Sequence, residues 1–567
     1  MVNPLYKRAK GLSRTKGLSL IRRITMHIVL VLGSLLFSAP FVWLVSTSAK
    51  TPEELYPPRW LPIPPDRVTE SPYIRLRNNE RPARPLRVAD DDWDQQRPLF
   101  TEAISAHIVS LKPKLPGYVQ PHVAHPELAE AVFARLLRRA PAELFTRPTA
   151  EGQRWFTERI EANEVKDVFD LVYCRVAFSE LVFVSWDMRI ETPIPPEQIP
   201  WRVIDGDAAL TPRTKDVRRV SQEVRYSFAE HDRFTVQAEL PLDWSFDEFK
   251  KMRLANHADR SWHTFHAVFE IDGHRLESTE PAYAATDRWQ DHTWQIRSYE
   301  DDTVAVKTWI TLRDVGPAEY NTPGKVRVTI TYHHAKGFRA AYNKFISNYL
   351  AVGNRVPLGR YVGNSVFLVL MNIFGQLLGS SLAAYAFARL RWPGREFCFV
   401  LLLATLMVPP QVTLIPVFLI FKNLGWFNTL RPLYIPSFAG SAFFIFLLRQ
   451  FMRGIPTDLE DSAKIDGCGY FGIYWQVILP LIKPALATIA IFTFMAVWND
   501  FMGPLIFITD QELYPLSLGL YALHAVMLGQ HQMLMAAAVL MTIPVIILFF
   551  AAQRQFIQGI TLTGLKG

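Results

Sequence analysis

The chain has 567 residues, of which 49% are hydrophobic, with a formal net charge of +8 and three cysteines. That apolar share, with a slightly positive mean hydropathy, excludes a wholly water-soluble protein. Cys174, Cys398 and Cys468 fall in three different kinds of segment, which excludes a disulfide framework or a cysteine zinc cluster.

Residues 1–23 form a basic N-terminus. Lys7, Arg8, Lys10, Arg14, Lys16, Arg22 and Arg23 stand there without an acidic partner, a flank that is retained in the cytoplasm rather than a nucleic-acid footprint. The apolar run 24–46 follows. It is longer than a signal-peptide core and no clear cleavage site follows Val45, so it reads as a retained anchor, with a cleaved signal as the alternative. Pro57, Pro58, Pro62, Pro64 and Pro65 make a stiff exit from it.

Residues 47–356 read as one extracytoplasmic region carrying an inserted domain at about 67–340. Leu128, Val132, Leu136 and Leu137, then Trp155, Ile160, Val165, Val168 and Leu171, recur at helical spacing within 126–180. From about 182 the period shortens to two, over Val217–Phe228, Phe234–Leu240, His263–Ile271, Thr303–Leu312 and Val326–Tyr332. Asp272-Gly273 is a hairpin signal. The expected product is a helical subdomain followed by an antiparallel β-sandwich.

A membrane-crossing helix needs about 20 apolar residues. Besides 24–46, the segments 358–388, 396–421, 432–452, 483–508 and 531–552 meet that length, giving six predicted spans and a cytoplasmic tail at 553–567. A cytoplasmic N-terminus places Arg389, Arg391, Arg395, Arg453, Lys464, Arg554 and Lys566 on the same side, as the positive-inside rule requires, so both termini are expected in the cytoplasm. Gly375, Gly379, Pro409, Pro410, Pro416, Pro504 and Pro544 suit a closely packed, kinked bundle.

Between the fourth and fifth spans lies a cytoplasmic loop, 456–482. Thr457 and Glu460 have capping-box spacing, Leu459 and Ala463 give one apolar edge, and Asp466-Gly467 ends the first short helix. A second helix, about Tyr470 to Leu479, is expected to stop before Pro480. Two brief helices at an angle form a knob shaped for a partner's groove.

This loop resembles the EAA loop of ABC-importer permeases. Asp461, Ser462 and Ala463 take the three opening positions of that pattern, Gly467 its glycine, Val477 its aliphatic residue, and Leu479-Pro480 its end, with Asp and Ser replacing the usual Glu and Ala. Glu460 next door is expected to supply the reach that Asp461 lacks. SLAAYAFARLRWPGR (381–395), TLMVPPQVTLIPVFLIFKNLGWFNT (405–429), FLLRQFMRGIP (446–456), PALATIAIFTFMAVWNDFMGPL (484–505) and QRQFIQGITLTGLKG (553–567) are similar to the carbohydrate-uptake branch, on the side of the maltose-permease G subunit. The segments 48–62 and 348–365 look like the two halves of a normally short exterior loop.

The resemblance implies an α-helical polytopic membrane protein with the type I ABC importer permease fold and six transmembrane helices; the insertion at about 67–340, expected from its periodicity to be an α+β domain, departs from the family. The resemblance implies import of a sugar or oligosaccharide across the bacterial inner membrane. It also implies three partners: a second permease subunit in a heterodimer, a cytoplasmic ABC ATPase dimer, and an extracytoplasmic solute-binding protein. The docking residues it implies are Glu460, Asp461, Ser462, Ala463, Asp466, Gly467, Val477, Leu479 and Pro480. No phosphate-cradling Walker loop occurs in this chain, so ATP and Mg are expected on the partner ATPase, and no catalysis or cofactor here. The rival reading is a membrane-anchored glycan-binding or sensory protein built on a permease core.

Asn372 and Gln376, one turn apart, and Asn499-Asp500 lie inside predicted spans, where polar groups line pathways or join helices. No metal site is expected: His263 and His266 fall on opposite faces of a strand, and His333-His334 fail likewise. Trp262, Trp289, Trp294 and Trp309 offer either a sugar-stacking platform or sandwich core.

Overall fold

A computed structural model describes residues 4–564 apart from 56–57, 78–79, 86–87, 187–190, 214–219, 243, 297–306 and 527–529. Pro57, the start of the Val217 strand, residues 303–306 and Lys566 therefore lie outside the described residues. The chain divides into two compact units. One comprises Met1–Pro62, Tyr299–Thr308 and Phe345–Gly567, the other Ile63–Ser298 and Trp309–Lys344.

The first unit is helical. Ile24–Ser48, Leu358–Arg389, Arg431–Arg453 and His531–Ala551 are each long and apolar enough to cross a membrane. Two further pairs, Arg395–Met407 with Gln411–Asn423 and Tyr470–Leu481 with Lys483–Trp498, pass the same test but bend by 105° and 76°. Four to six crossings follow, according to whether each bent pair counts as one. Exposed Leu370, Phe374, Phe397, Val400 and Ile547 show the inverted surface of a protein dissolved in lipid.

Several expected spans are interrupted. Segment 396–421 is not one helix, because Pro409 and Pro410 lack N–H groups and leave Val408 extended (φ −84°, ψ 117°). Segment 432–452 contains a 3₁₀ turn, Ile435–Ala439, and resumes as a helix only at Ala442. Segment 483–508 ends its helix at Trp498 and restarts at Met502–Phe507.

In the second unit, the helices Asp90–Ser110, Pro126–Leu137, Thr149–Thr157 and Ala162–Val172 close around Phe100, Phe133 and Phe156, whose rings lie 5.1–5.9 Å apart. The first of these helices was not expected from the sequence, and Leu171 proves exposed. Two short strands, Glu70–Ser71 and Tyr73–Ile74, precede these helices, and the main run of strands begins at Tyr173 rather than near 182. Val176–Ser185, Phe249–His257 and Trp289–Ile296 lie side by side, as do Thr264–Ile271, Lys325–His333 and Arg233–Pro241.

Phe178, Phe249, Phe265, Phe269, Trp294 and Tyr332 from both groups share one core. Ring pairs Phe178–Tyr332, Phe249–Phe269 and Phe265–Trp294 join the groups across 6.4–6.5 Å. The two groups are parts of one 14-stranded sheet, joined through Ile310–Pro317 and His274–Ser278 and folded so that they face each other across this core, rather than the two separate sheets of a sandwich. The sheet departs from a wholly antiparallel one where Trp289–Ile296 pairs in parallel with Ile310–Pro317. Asp272 (φ 49°) and Gly273 (φ 79°) make the expected hairpin turn between Thr264–Ile271 and His274–Ser278.

Candidate functional site

The loop between Arg453 and Lys483 is built as two short helices. Asp458–Ile465 ends in a Schellman arrangement: the Cys468 N–H donates to the Ala463 carbonyl at 2.9 Å and the Gly467 N–H to the Lys464 carbonyl at 3.0 Å. Gly467 has φ +87°, the left-handed conformation that glycine adopts without steric cost. The second helix runs on to Leu481 instead of stopping before Pro480. A π turn at Tyr474–Ile478 widens the backbone ahead of the proline, and the chain bends 76° at Ile482.

The expected capping box does not form. Thr457 makes no side-chain cap bond. Glu460 turns inward and pairs with Arg389 at 2.8 Å, both side chains 8% exposed. A guanidinium is a stronger partner than one backbone N–H. The same Arg389 donates to the Ile455 carbonyl at 2.7 Å and to that of Met452. Glu460 therefore does not supply an outward carboxylate in place of Asp461.

The other loop residues sort by direction. Ala463 is buried with Ile473, Tyr474 and Ile478, and Val477 and Leu479 pack beside them. Asp461, Ser462, Asp466, Gly467 and Pro480 face outward. Asp461 accepts from Lys464 at 2.8 Å, and the Ser462 hydroxyl returns to the Asp458 carbonyl. Around them Leu459, Ile465, Tyr470, Phe471 and Trp475 form an exposed apolar ridge, with Ile465 87% exposed. Exposed apolar side chains gathered in one patch, rather than scattered singly, make this loop a candidate contact surface.

The intramembrane polar residues are tied to broken backbone. The Asn372 amide donates to the Leu433 carbonyl at 3.0 Å and to that of Leu368 at 2.8 Å. With its nitrogen toward Ser437, Gln376 donates to that carbonyl at 3.1 Å and accepts from the Ser441 N–H at 2.7 Å. Gln376 serves the interruption at 435–441, and Asn372 the last turn of the short helix Arg431–Tyr434 that leads into it. Nearby, a Cβ at Gly379 would collide with the Phe438 carbonyl, so glycine is what lets this segment lie against the helix. Asn499 and Asp500 fall in the gap after Trp498; Asn499 donates to the Met495 carbonyl and Asp500 accepts from the Gly503 N–H at 3.1 Å.

In the β-rich unit His263 lies beside His334 and His266 beside His333, with ring centroids 5.1 and 5.9 Å apart. No group of three or more His, Cys, Asp or Glu able to hold a metal occurs among the described residues. Trp294 and Trp262 are buried, so they serve the core rather than a sugar platform, while Trp289 and Trp309 are partly covered.

Residues 375–562 match the family model of the binding-protein-dependent transport system inner membrane component. The chain is 35% identical over 207 residues to the arabinooligosaccharides transport system permease protein AraQ of Halalkalibacterium halodurans, covering 36% of this chain and 74% of AraQ. This chain belongs to that permease family. It is also 35% identical over 196 residues to the lactose transport system permease protein LacG of Rhizobium radiobacter, covering 35% of this chain and 71% of LacG. Among solved structures, a bacterial ABC transporter involved in the import of the acidic polysaccharide alginate matches with 27% identity and a TM-score of 0.34, over 37% of this chain and 78% of that one. The permease is a transport protein of the inner membrane, and its β-rich insertion lies outside the residues matched by the family model.

Proposed function

We propose that this permease forms half of the translocation pathway of an ATP-driven, binding-protein-dependent importer of sugars or oligosaccharides. The observation that carries the reading is the exposed apolar ridge of the docking loop, set on two helices whose inner faces are fixed to the spanning helices. The substrate class follows from relatives named for arabinooligosaccharides, lactose and diacetylchitobiose. In this reading the chain crosses the membrane six times with each bent pair as one crossing. Both termini and the loop 456–482 are cytoplasmic, and the insertion at about 67–340 is extracytoplasmic.

The partners are a second permease subunit, a cytoplasmic ATPase dimer that binds ATP and Mg, and an exterior solute-binding protein. The docking residues are Asp461, Ser462, Asp466 and Gly467 on the outer face. Glu460, Ala463, Val477 and Leu479 support them from within. Asn372, Gln376, Asn499 and Asp500 sit where the bundle is broken, at the positions proposed to border the pathway. A docking loop with this surface has no use in a glycan sensor without an ATPase, which favours transport.

The test is uptake by the assembled complex in proteoliposomes, with arabinooligosaccharides, lactose, diacetylchitobiose and galactooligosaccharides offered in turn. ATP-dependent accumulation of at least one is expected. Binding of a sugar without ATP-dependent accumulation of any would sink the reading.

A further inference from the structure

The docking loop is fastened to one spanning helix by three side chains spaced four residues apart. On Leu358–Arg389, the Ser381 hydroxyl and the Tyr474 hydroxyl share a hydrogen bond of 2.7 Å, and Tyr385 donates to the Tyr470 carbonyl at 3.1 Å. Arg389 holds Glu460 at 2.8 Å. Positions i, i+4 and i+8 fall on one stripe of a helix. Ser381 and Tyr385 take hold of the second docking helix, and Arg389 takes hold of the first.

Arg389 does more than pair. Its guanidinium also covers the Met452 and Ile455 carbonyls at the C-terminal end of Ala442–Arg453, so one side chain binds three elements together. Ser381 is 1% exposed, and Arg389 and Glu460 are 8% exposed. The Ser381–Tyr474 bond and the Arg389–Glu460 ion pair are shielded from water, where a missing partner costs more than it does at a surface, while the Tyr385–Tyr470 bond is part-buried. The stripe lies inside the contact between loop and helix. The ridge that meets a partner is on the other side.

Resting on the transport reading above, we propose that Ser381, Tyr385 and Arg389 are the positioning residues that couple this permease. They rivet the docking loop to Leu358–Arg389, so that loop and helix move as one body when the ATPase closes. Other helices, such as His531–Gly564, carry no such rivets to the loop among the described residues. Movement imposed on the loop is therefore delivered first to Leu358–Arg389, whose middle section holds the 435–441 interruption through Gln376 and the short helix before it through Asn372.

Spin-label distances in the assembled transporter, in lipid nanodiscs, test this. In a Cys398→Ala, Cys468→Ala background, one label goes on Asp458→Cys, an exposed position of the first short helix outside the docking residues. The second goes on Leu378→Cys, on the riveted helix, or on Ile547→Cys, on an unriveted one. Nucleotide-free and ATP–vanadate-trapped states are compared. The 458–378 distance is expected to stay constant while the 458–547 distance shifts. In Arg389→Lys, and in the uncharged Ser381→Ala/Tyr385→Phe pair, the trapped state should gain a second 458–378 population displaced by about one helical turn, ~5 Å.

Equal shifts of both distances in the parent protein would overturn the proposal, as would an unchanged 458–378 distance in both variants. A parent in which neither distance responds to nucleotide contradicts the ATP-coupled reading itself, a different failure from loss of the rivets.

Discussion

In the membrane unit, buried polar side chains reach mostly for backbone: Asn372 takes the Leu433 carbonyl, Ser365 the Leu516 N–H, and Arg389 the ends of Ala442–Arg453, with the Ser381–Tyr474 hydroxyl pair as an exception. In the inserted unit they reach for one another. Asp66 meets Arg75, Arg260 and Tyr73, Arg77 meets Asp287, and the fully buried Asp259 accepts from Tyr226 and Ser261. The difference follows from the solvent. In lipid no water satisfies a broken helix, so side chains must. In water the backbone is satisfied by sheet and helix, and buried charge survives only in pairs. Loss of a polar side chain should therefore open a backbone break in one unit and strand a charge in the other.

Arg389 combines both roles and should give the largest effect. Arg389→Ala leaves Glu460 buried without a cation and frees the Met452 and Ile455 carbonyls; removing one partner of a buried pair costs about 3–5 kcal/mol. Heating the detergent-solubilised protein should show a clear fall in its melting temperature. A melting curve that overlays the parent's would mean that the pair contributes nothing to this unit.

For the inserted unit the comparable experiment is a pH scan. Burial holds His263 down to about 4, with Asp259 opposing and His334 assisting. Its Nδ1 accepts from the Ala335 N–H at 3.1 Å, which only an unprotonated nitrogen can do. The unfolded chain takes up this proton near pH 6.5, the folded chain only near 4. Stability should therefore fall as pH drops through that window and level off below it, by about 3 kcal/mol from this group at most. His266, His333 and His334 are lowered too, chiefly by burial, and act in the same direction. Urea unfolding of the insertion followed by tryptophan fluorescence checks this, and His263→Asn should flatten the slope.

Backbone contact in the membrane unit is tested next by Gly379→Ala. The new Cβ has no room against Phe438, and overpacking costs about 1–3 kcal/mol. Gly363→Ala on the same helix meets nothing within 4 Å and should be neutral or slightly stabilising. Equal melting temperatures for the two variants would refute close packing at the 435–441 break.

The sequence was legible where one local rule decides. Gly467 and Asp272-Gly273 are places where only certain residues fit the backbone, and both turns are found. Rules were not enough where a distant group competed. Thr457 and Glu460 have capping spacing, but nothing local reveals that Arg389, far away in sequence, claims the carboxylate. Val176–Ser185 is buried on both faces, so it shows no alternation. Asp90–Ser110 was hidden by Pro98, which reads as a helix breaker although Trp93, Phe100, Ile104 and Ile108 line one buried side. The polar residues of the spans stood out as costly in lipid; that Gln376 answers to the 435–441 backbone, and Asn372 to the short helix before it, needed the fold.

The smallest effect on folding is expected one residue from Glu460, the carboxylate that Arg389 holds. Asp461 faces water and, among the described residues, pairs with Lys464, whose side chain is itself half exposed, and such surface pairs contribute little to stability. Asp461→Ala should leave the melting temperature where it was. It should nevertheless weaken retention of the ATPase when the complex is purified through this chain, because the charge lies on the rim of the ridge made by Ile465, Tyr470 and Phe471. Glu460→Gln should do the reverse, lowering the melting temperature while leaving the outer surface unchanged. If both substitutions lowered stability alike, or Asp461→Ala left ATPase retention intact, the division of this short helix into an inward anchor and an outward contact would fail.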